Sequence, residues 1–290
     1  MNRIYFLSTE HLENSLWFRE DEDFKVGMNY VAIEVARKPY VSVLSFILMS
    51  NHVHFVLKGT REDAIAFVED FKMRYSKYYS RKYGITELLR RNRIDIREIP
   101  CQDEAVEKAI AYVHMNAVVA NICASPNQYP WGTGNTIFNP TPSGGTPVGK
   151  LSIREKRRLL RSYNPSIPGE WLIGDEGYIL PRMYINVRGV EAIFRSAKRM
   201  NYFLSTSSKA KKRLEANENL PAFRDQSILT AIPDLCRSLF QKERFSELLP
   251  KEQSEFLRQL QFRFSADANQ LARVCGLTYR EAAQMLDRED

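Results

Sequence analysis

Leu48-Met49-Ser50-Asn51-His52-Val53-His54-Phe55-Val56-Leu57 holds two of the chain's four histidines, two residues apart, between apolar runs. Val41 to Met49 is apolar and partly β-branched, and the stretch after the histidines is apolar again. That pattern predicts strand, tight turn, strand. Side chains alternate along a strand, so His52 and His54 share one face while Val53, Phe55 and Leu57 take the other. Two imidazoles on one face, about 7 Å apart along the strand, can converge on one metal ion. The same letters also describe two polar residues on a half-exposed surface.

A second segment, Ala109-Ile110-Ala111-Tyr112-Val113-His114-Met115-Asn116-Ala117-Val118, has apolar residues at helical spacing. Val106, Ala109, Ile110, Val113 and Ala117 form one stripe. Gln102-Asp103-Glu104 reads as an acidic, cap-like start. Tyr112 and Asn116 lie at i and i+4 on a more polar face, which Lys108 and Glu104 continue toward the N-terminus. One helix face thus presents a phenol, an amide one turn later and an amine one turn earlier. A helical tyrosine taken alone is ordinarily an amphipathic filler, and Lys108 taken alone is an exposed lysine paired with Glu104.

Taken together, these residues resemble the HUH single-tyrosine transposases, in particular their REP-associated tyrosine transposase branch. That family carries a strand reading M-P-N-H-V-H-hydrophobic and a later helix reading Y-I-H-x-N-P-V-R-A-G-L that runs on to Y-x-W-S-S. Here the corresponding stretches are Met49-Ser50-Asn51-His52-Val53-His54, then Tyr112 to Ile122, then Tyr129-Pro130-Trp131-Gly132-Thr133. The resemblance covers roughly residues 1 to 134. Ser50 and Ala117 stand where the family prefers proline, and Val119 and Asn121 replace its usual Arg and Gly.

The resemblance implies that His52, His54 and Asn116 hold a divalent metal, Mg²⁺ or Mn²⁺, and that Tyr112 is the nucleophile. It implies cleavage of single-stranded or hairpin DNA through a covalent 5′-phosphotyrosine, with strand transfer following and no nucleotide cofactor. A phenol with a reference pKa near 10 is mostly neutral at pH 7, so it needs a base or a nearby cation; Lys108 is a candidate. The alternative from a different class is a domesticated protein that binds DNA hairpins or regulates transcription without cutting.

Composition agrees with an anionic partner: 42 Lys and Arg face 35 Asp and Glu. Placement says more than the total. Lys72, Arg74, Lys77, Arg81 and Lys82 share a predicted helix with Tyr75, Tyr78, Tyr79 and Tyr83, and Arg90, Arg91, Arg93 and Arg97 follow. Cations track a phosphate backbone and aromatics stack on unpaired bases, so Lys72, Arg74, Lys77, Arg81, Lys82, Arg90, Arg91, Arg93 and Lys108 are the candidate DNA contacts. The bland reading is a solvated basic helix with its tyrosines inward. A second basic cluster runs from Arg195, Lys198 and Arg199 to Lys209, Lys211, Lys212 and Arg213. Gly144 to Lys150 matches G-x-x-x-x-G-K, but Leu151 replaces the magnesium-binding Ser or Thr and no apolar strand leads in, so it reads as linker. Cys101, Cys123, Cys236 and Cys275 form no C-x-x-C pair. With no signal-peptide pattern and no long apolar run, the expectation is a soluble cytoplasmic protein with no membrane span. The sequence leaves a homodimer open.

The predicted elements are a strand at 3–7, helix 21–37, strands 41–49 and 52–58, helix 61–83, strand 94–99 and helix 103–120. This β-α-β-β-α-β-α order predicts an α+β fold, a ferredoxin-like antiparallel sheet with packed helices. A flexible linker is expected at 135–149, a mostly helical region of unknown role at 150–262, and a helix-turn-helix within 263–290, read from Gln270 to Leu286 with Gly276 at the turn. On that scheme residues 1–134 are a separable catalytic domain.

Overall fold

The computed structural model describes residues 2–9, 16–85, 92–120, 122–139, 144–162, 166–215, 225–264, 266 and 268–287. Its first part runs β1 (Arg3–Thr9), α1 (Asp21–Arg37), β2 (Ser42–Met49), β3 (His52–Gly59), α2 (Arg61–Tyr83), β4 (Ile94–Ile99) and α3 (Ala105–Val119). The four strands form one sheet in the order β2-β3-β1-β4, every neighbouring pair antiparallel. The fold is thus mixed α+β. Among the described residues no helix is long and apolar enough to cross a membrane.

The sheet is covered on both faces. Phe55 of β3 meets Phe67 and Phe71 of α2 edge-on, with ring centroids 5.7 Å apart in both pairs. Gly27 brings α1 close to Leu48 of β2. Opposite α1 and α2, α3 lies across the strands and lowers the predicted stripe into the core; Val106, Ile110, Val113 and Ala117 are buried and Ala109 partly so. Thr60 caps α2 by accepting from the Asp63 N–H, and Gly84 ends it in the left-handed region at φ 70. The expected acidic cap of α3 is absent. Asp103 and Glu104 both sit at positive φ, and the Glu104 side chain caps nothing.

The Tyr129–Thr133 segment is laid along the exposed edge of β2. Leu48 N–H donates to Trp131 O at 2.8 Å, Thr133 N–H to Phe46 O at 3.1 Å, and the Tyr129 hydroxyl to Leu48 O at 2.7 Å. Asn186 extends the cover, its N–H donating to Val43 O. An uncovered edge strand is a site for unwanted pairing. The close approach requires glycine at 132, where a Cβ would meet Phe46 O at 2.7 Å and Ile47 Cα at 3.2 Å.

Two expectations about the second half need correction. Residues 144–150 are not a flexible connection: β5 (Thr146–Pro147) pairs with β6 (Leu172–Ile173), and Gly149 N–H donates to Gly169 O at 2.7 Å. Nor does the first core stop near residue 134. It continues through α4 (Ile153–Leu160), the turn before Ile179, α5 (Val187–Phe194) and the start of α6 (Ala197–Glu215), burying Leu160, Ile179, Val190, Phe194 and Phe203. These residues cover faces of α1 and α3 that the first 134 residues alone leave open. A second core is built from α7 (Asp225–Phe240), α8 (Pro250–Phe264), α9 (Ala268–Cys275) and α10 (Tyr279–Asp287), around Ile228, Phe256, Leu260 and Leu271. Gly276 turns α9 into α10 at φ 69, Leu277 N–H donates to Ala272 O, and Thr278 and Glu281 cap α10 reciprocally. Glu281 is therefore a capping residue.

Gly132→Ala should destabilise the protein by roughly 1–3 kcal/mol, measured by denaturant unfolding, whereas a neutral result would detach the 129–133 segment from β2. A chain cut after Asn135 should be insoluble or unfolded by circular dichroism, and one cut after Glu215 should keep the sheet's signal. A folded, monomeric 1–135 fragment would overturn the continuation of the first core past residue 134.

Candidate functional site

The antiparallel register settles what shares a face with the histidines. His54 stands opposite Ser8 and Val56 opposite Phe6, so Phe6 and Ser8 join His52 and His54 on the α3 side of the sheet. The His52 and His54 rings meet at 4.6 Å between centroids, edge to face. Tyr112 descends from α3 to put its ring 5.7 Å from that of His54. Phe6 touches both, 5.3 Å from His54 and 5.7 Å from Tyr112. Both histidines are about 5 % exposed or less, and Tyr112 is half-buried.

His52 Nδ1 shares a hydrogen bond with Asn51 Oδ1 at 2.7 Å, which orients the ring; His52 Nε2 and His54 Nδ1 are buried nitrogens. Asn116, 3 % exposed, donates its amide nitrogen to Tyr112 O at 2.8 Å and Val113 O at 3.4 Å. A cation would therefore be met by its oxygen. Two imidazoles joined by an amide oxygen would make a mixed N/O donor set of the kind that suits a transition-metal dication; the ring contacts bring together His52, His54 and Tyr112. Among the described residues no group of three His, Cys, Asp or Glu side chains forms a metal cluster. A third protein donor would therefore be another kind of group, and Asn116 is the amide that the resemblance implies.

The cations predicted to contact DNA divide sharply. Lys72 is buried and donates to Asn92 O and to Glu69. Arg74 is paired with the fully buried Glu34 at 2.8 Å, and Lys82 with Asp23 at 2.6 Å and with Glu20. Arg74 and Lys82 are thus engaged by carboxylates on and beside α1, and Lys72 by its own helix and the Asn92 carbonyl. Lys77, Arg81 and Arg93 are exposed, and Arg90 and Arg91 lie outside the described residues. Lys108 is exposed and donates to Asp103 O rather than to Glu104, which pairs instead with Arg199. The α2 tyrosines are not a stacking platform either. Tyr75 and Tyr79 are buried and donate to Trp17 O and Leu16 O, and Tyr78 and Tyr83 donate to Asp23. Burial, then the Asp23 carboxylate, hold the Tyr78 and Tyr83 phenols well above their ordinary pKa.

Phe6 and His114 escaped the sequence reading. For Phe6 the signal was there, since alternation in Tyr5-Phe6-Leu7 puts it opposite the core pair, but only the register of β1 against β3 brings it to the histidines. His114 lies inside the matched motif yet serves the core. Its Nε2 hydrogen-bonds Thr133 Oγ1 at 3.0 Å, and Thr133 Oγ1 accepts from Phe46 N–H, so His114 clamps the 129–133 segment to β2.

No protein-family model matches the chain, and no curated protein matches it. Among solved structures, a REP-associated tyrosine transposase bound to a REP hairpin is similar over 46 % of this chain and 77 % of that one, with 13 % identity and a TM-score of 0.35. This is a distant structural likeness and nothing finer.

Burial pushes the His114 pKa down to about 4, below the roughly 6.5 of an unfolded histidine. Between those values the unfolded chain binds the proton and the folded one does not, so stability falls as pH drops through that window. From pH 7 to pH 5 the loss attributable to His114 is about 2 kcal/mol. Denaturation midpoints should show His114→Gln with a flatter acid limb than the wild type, and equal limbs would mean His114 titrates normally.

Proposed function

We propose that the protein cleaves and rejoins single-stranded DNA through Tyr112, on a ferredoxin-like HUH nuclease sheet. One observation supports this above the rest: the His52, His54 and Tyr112 rings meet on one face of the sheet, although β3 and α3 are far apart in sequence. A structural role alone does not require two histidines and a tyrosine to converge, whereas the motif resemblance requires that grouping.

On this reading the Tyr112 oxygen attacks a phosphodiester in line. A new bond forms between the phenolic oxygen and phosphorus, the bond to the 3′-oxygen breaks, and the phenolic proton ends on the released 3′-hydroxyl by way of solvent. The 5′-phosphotyrosine keeps the bond energy for rejoining. His52, His54 and Asn116 Oδ1 would hold a divalent ion, with Mn²⁺ suited to the mixed donors better than Mg²⁺. Such an ion supplies Lewis-acid neutralisation of the phosphoryl oxygens. The Asn51 hydrogen bond to His52 fixes the ring that presents Nε2. Phe6 packs the phenol against His54, which limits how far Tyr112 can turn.

The second reading, a non-cutting hairpin-binding or regulatory protein, draws on the burial of both histidines, which a substrate phosphate would have to reach. Incubating the full chain with Mn²⁺ or Mg²⁺ and labelled hairpin-bearing single-stranded oligonucleotides decides between them. Tyr112→Phe should abolish a protease-sensitive covalent adduct, by at least about 1,000-fold, and leave DNA affinity within about threefold. EDTA, His52→Ala and His54→Ala should also remove the adduct. DNA binding with no adduct in either metal selects the second reading. An adduct that survives Tyr112→Phe points to another nucleophile, and the raised phenols of Tyr78 and Tyr83 are poor candidates for it.

A further inference from the structure

The chain between Lys150 and Arg161 carries six cations, Lys150, Arg154, Lys156, Arg157, Arg158 and Arg161, against the single carboxylate of Glu155. That carboxylate is taken by the Ser152 cap of α4, accepting from both the Ser152 hydroxyl and its N–H. Lys150, Arg154 and Arg158 are exposed and make no ion pair with any described residue. α2 behaves in the opposite way, since Lys72, Arg74 and Lys82 are neutralised by acidic partners.

α4 is held firmly. Leu160 is fully buried, and the buried Asn29 of α1 donates to Leu159 O at 3.1 Å while accepting from Ile179 N–H at 3.0 Å. The Tyr30 hydroxyl donates to Arg161 O at 3.0 Å. With that side inward, Arg154, Arg157 and Arg158, at i, i+3 and i+4, share the solvent side and lie about 5–6 Å from one another. The Tyr30 ring also meets Tyr78 of α2 edge-on at 6.5 Å, so the last turns of α2, which carry Arg81, adjoin the end of α4. Two segments about eighty residues apart in sequence thus build one basic surface.

We infer that α4, with the Arg81 end of α2, is a second nucleic-acid surface that grips the phosphate backbone of duplex DNA; Arg161 beside it is paired with Glu22 at 2.8 Å. This surface lies on the α1–α2 side of the sheet, away from the face that carries Tyr112. The choice of DNA rests on the proposed function; the charge argument does not. Binding through phosphates alone suits a double helix, whose bases are stacked inside and whose backbone carries one charge per about 1.7 Å of axis. Single strands are held with the help of aromatic platforms, and α4 contains no aromatic residue. A membrane surface fits less well, because the apolar side of α4 is committed to the core and only Ile153 stands exposed.

The test uses the full chain, with Arg154→Glu/Arg158→Glu and the milder Arg154→Gln/Arg158→Gln, each checked for an unchanged melting temperature. Fluorescence anisotropy is read for a blunt duplex, a single strand of equal length and anionic phospholipid vesicles, across a salt series. Duplex affinity should fall at least about tenfold in the Glu variant, and the log–log salt slope should lose nearly two units for the two lost phosphate contacts, about 0.9 each. Single-strand affinity and Tyr112 adduct formation should not change. An unchanged duplex affinity and slope overturns the inference, as does an equal loss on single strands or a loss confined to vesicles. If the wild type forms no adduct yet its duplex binding depends on α4, the surface stands and the Tyr112 reading falls. If the wild type forms the adduct and its duplex binding does not depend on α4, the surface falls and the Tyr112 reading stands.

Discussion

The burial of β3 on both faces is the constraint from which the rest of the molecule follows. Val53, Phe55 and Leu57 enter the α1–α2 layer, and His52, His54 and Val56 enter the layer under α3. A strand buried on one face can leave polar groups in water, but this one cannot. Its histidines must be oriented by neighbours, and α3 must bring side chains that tolerate them. Tyr112 occupies that position, with Asn116 one turn further along the helix. The helix that covers the second face is therefore also the helix that completes the candidate site, and its apolar stripe and polar face are two sides of one packing requirement.

Charge inside the outer helical layer has a parallel role. Asp23 and Glu34 on α1 are fully buried, and a buried carboxylate is costly unless it is paired and hydrogen-bonded. Asp23 collects Tyr78, Tyr83, Lys82 and two backbone N–H groups of the chain entering α1, while Glu34 collects Arg74 and Lys38. These networks fix α1 against α2. They also engage two of the five cations that made α2 look like a nucleic-acid surface, Arg74 and Lys82. On α4, Arg154 and Arg158 carry no such obligation to any described residue and stand exposed.

The second core is joined to the first around the start of α1. Phe262 packs on Phe24 and Tyr129, and Ser50 donates to Phe262 O at 3.4 Å in the turn just before His52. Beside it Arg263 is buried, its Nη2 donating to Gln259, and burial lowers its pKa despite the acidic residues of α1 nearby. The turn that leads into the histidine strand is thus pinned from the far end of the chain.

Much of the first part could be read directly from local pattern. Alternation at 52–58 and the 3.6-residue stripe at 106–117 place His52, His54, Tyr112 and Asn116 on their faces, because the direction of a side chain within a strand or helix is a local property. Helices 21–37 and 61–83 and strand 94–99 begin and end where caps and apolar period say they should. Which faces meet is not local. Strand register made Phe6 a neighbour of the histidines, and the 129–133 segment turned His114 into a core clamp. Long-range pairing with Asp23 and Glu34 consumed Lys82 and Arg74, and the packing of 148–203 on α1 and α3 joined what looked like two domains. Composition marks a residue as cationic or a segment as rich in Gly and Pro. Whether that cation meets a buried carboxylate or water, and whether that segment is a tether or a strand pair, depends on what the fold places opposite it.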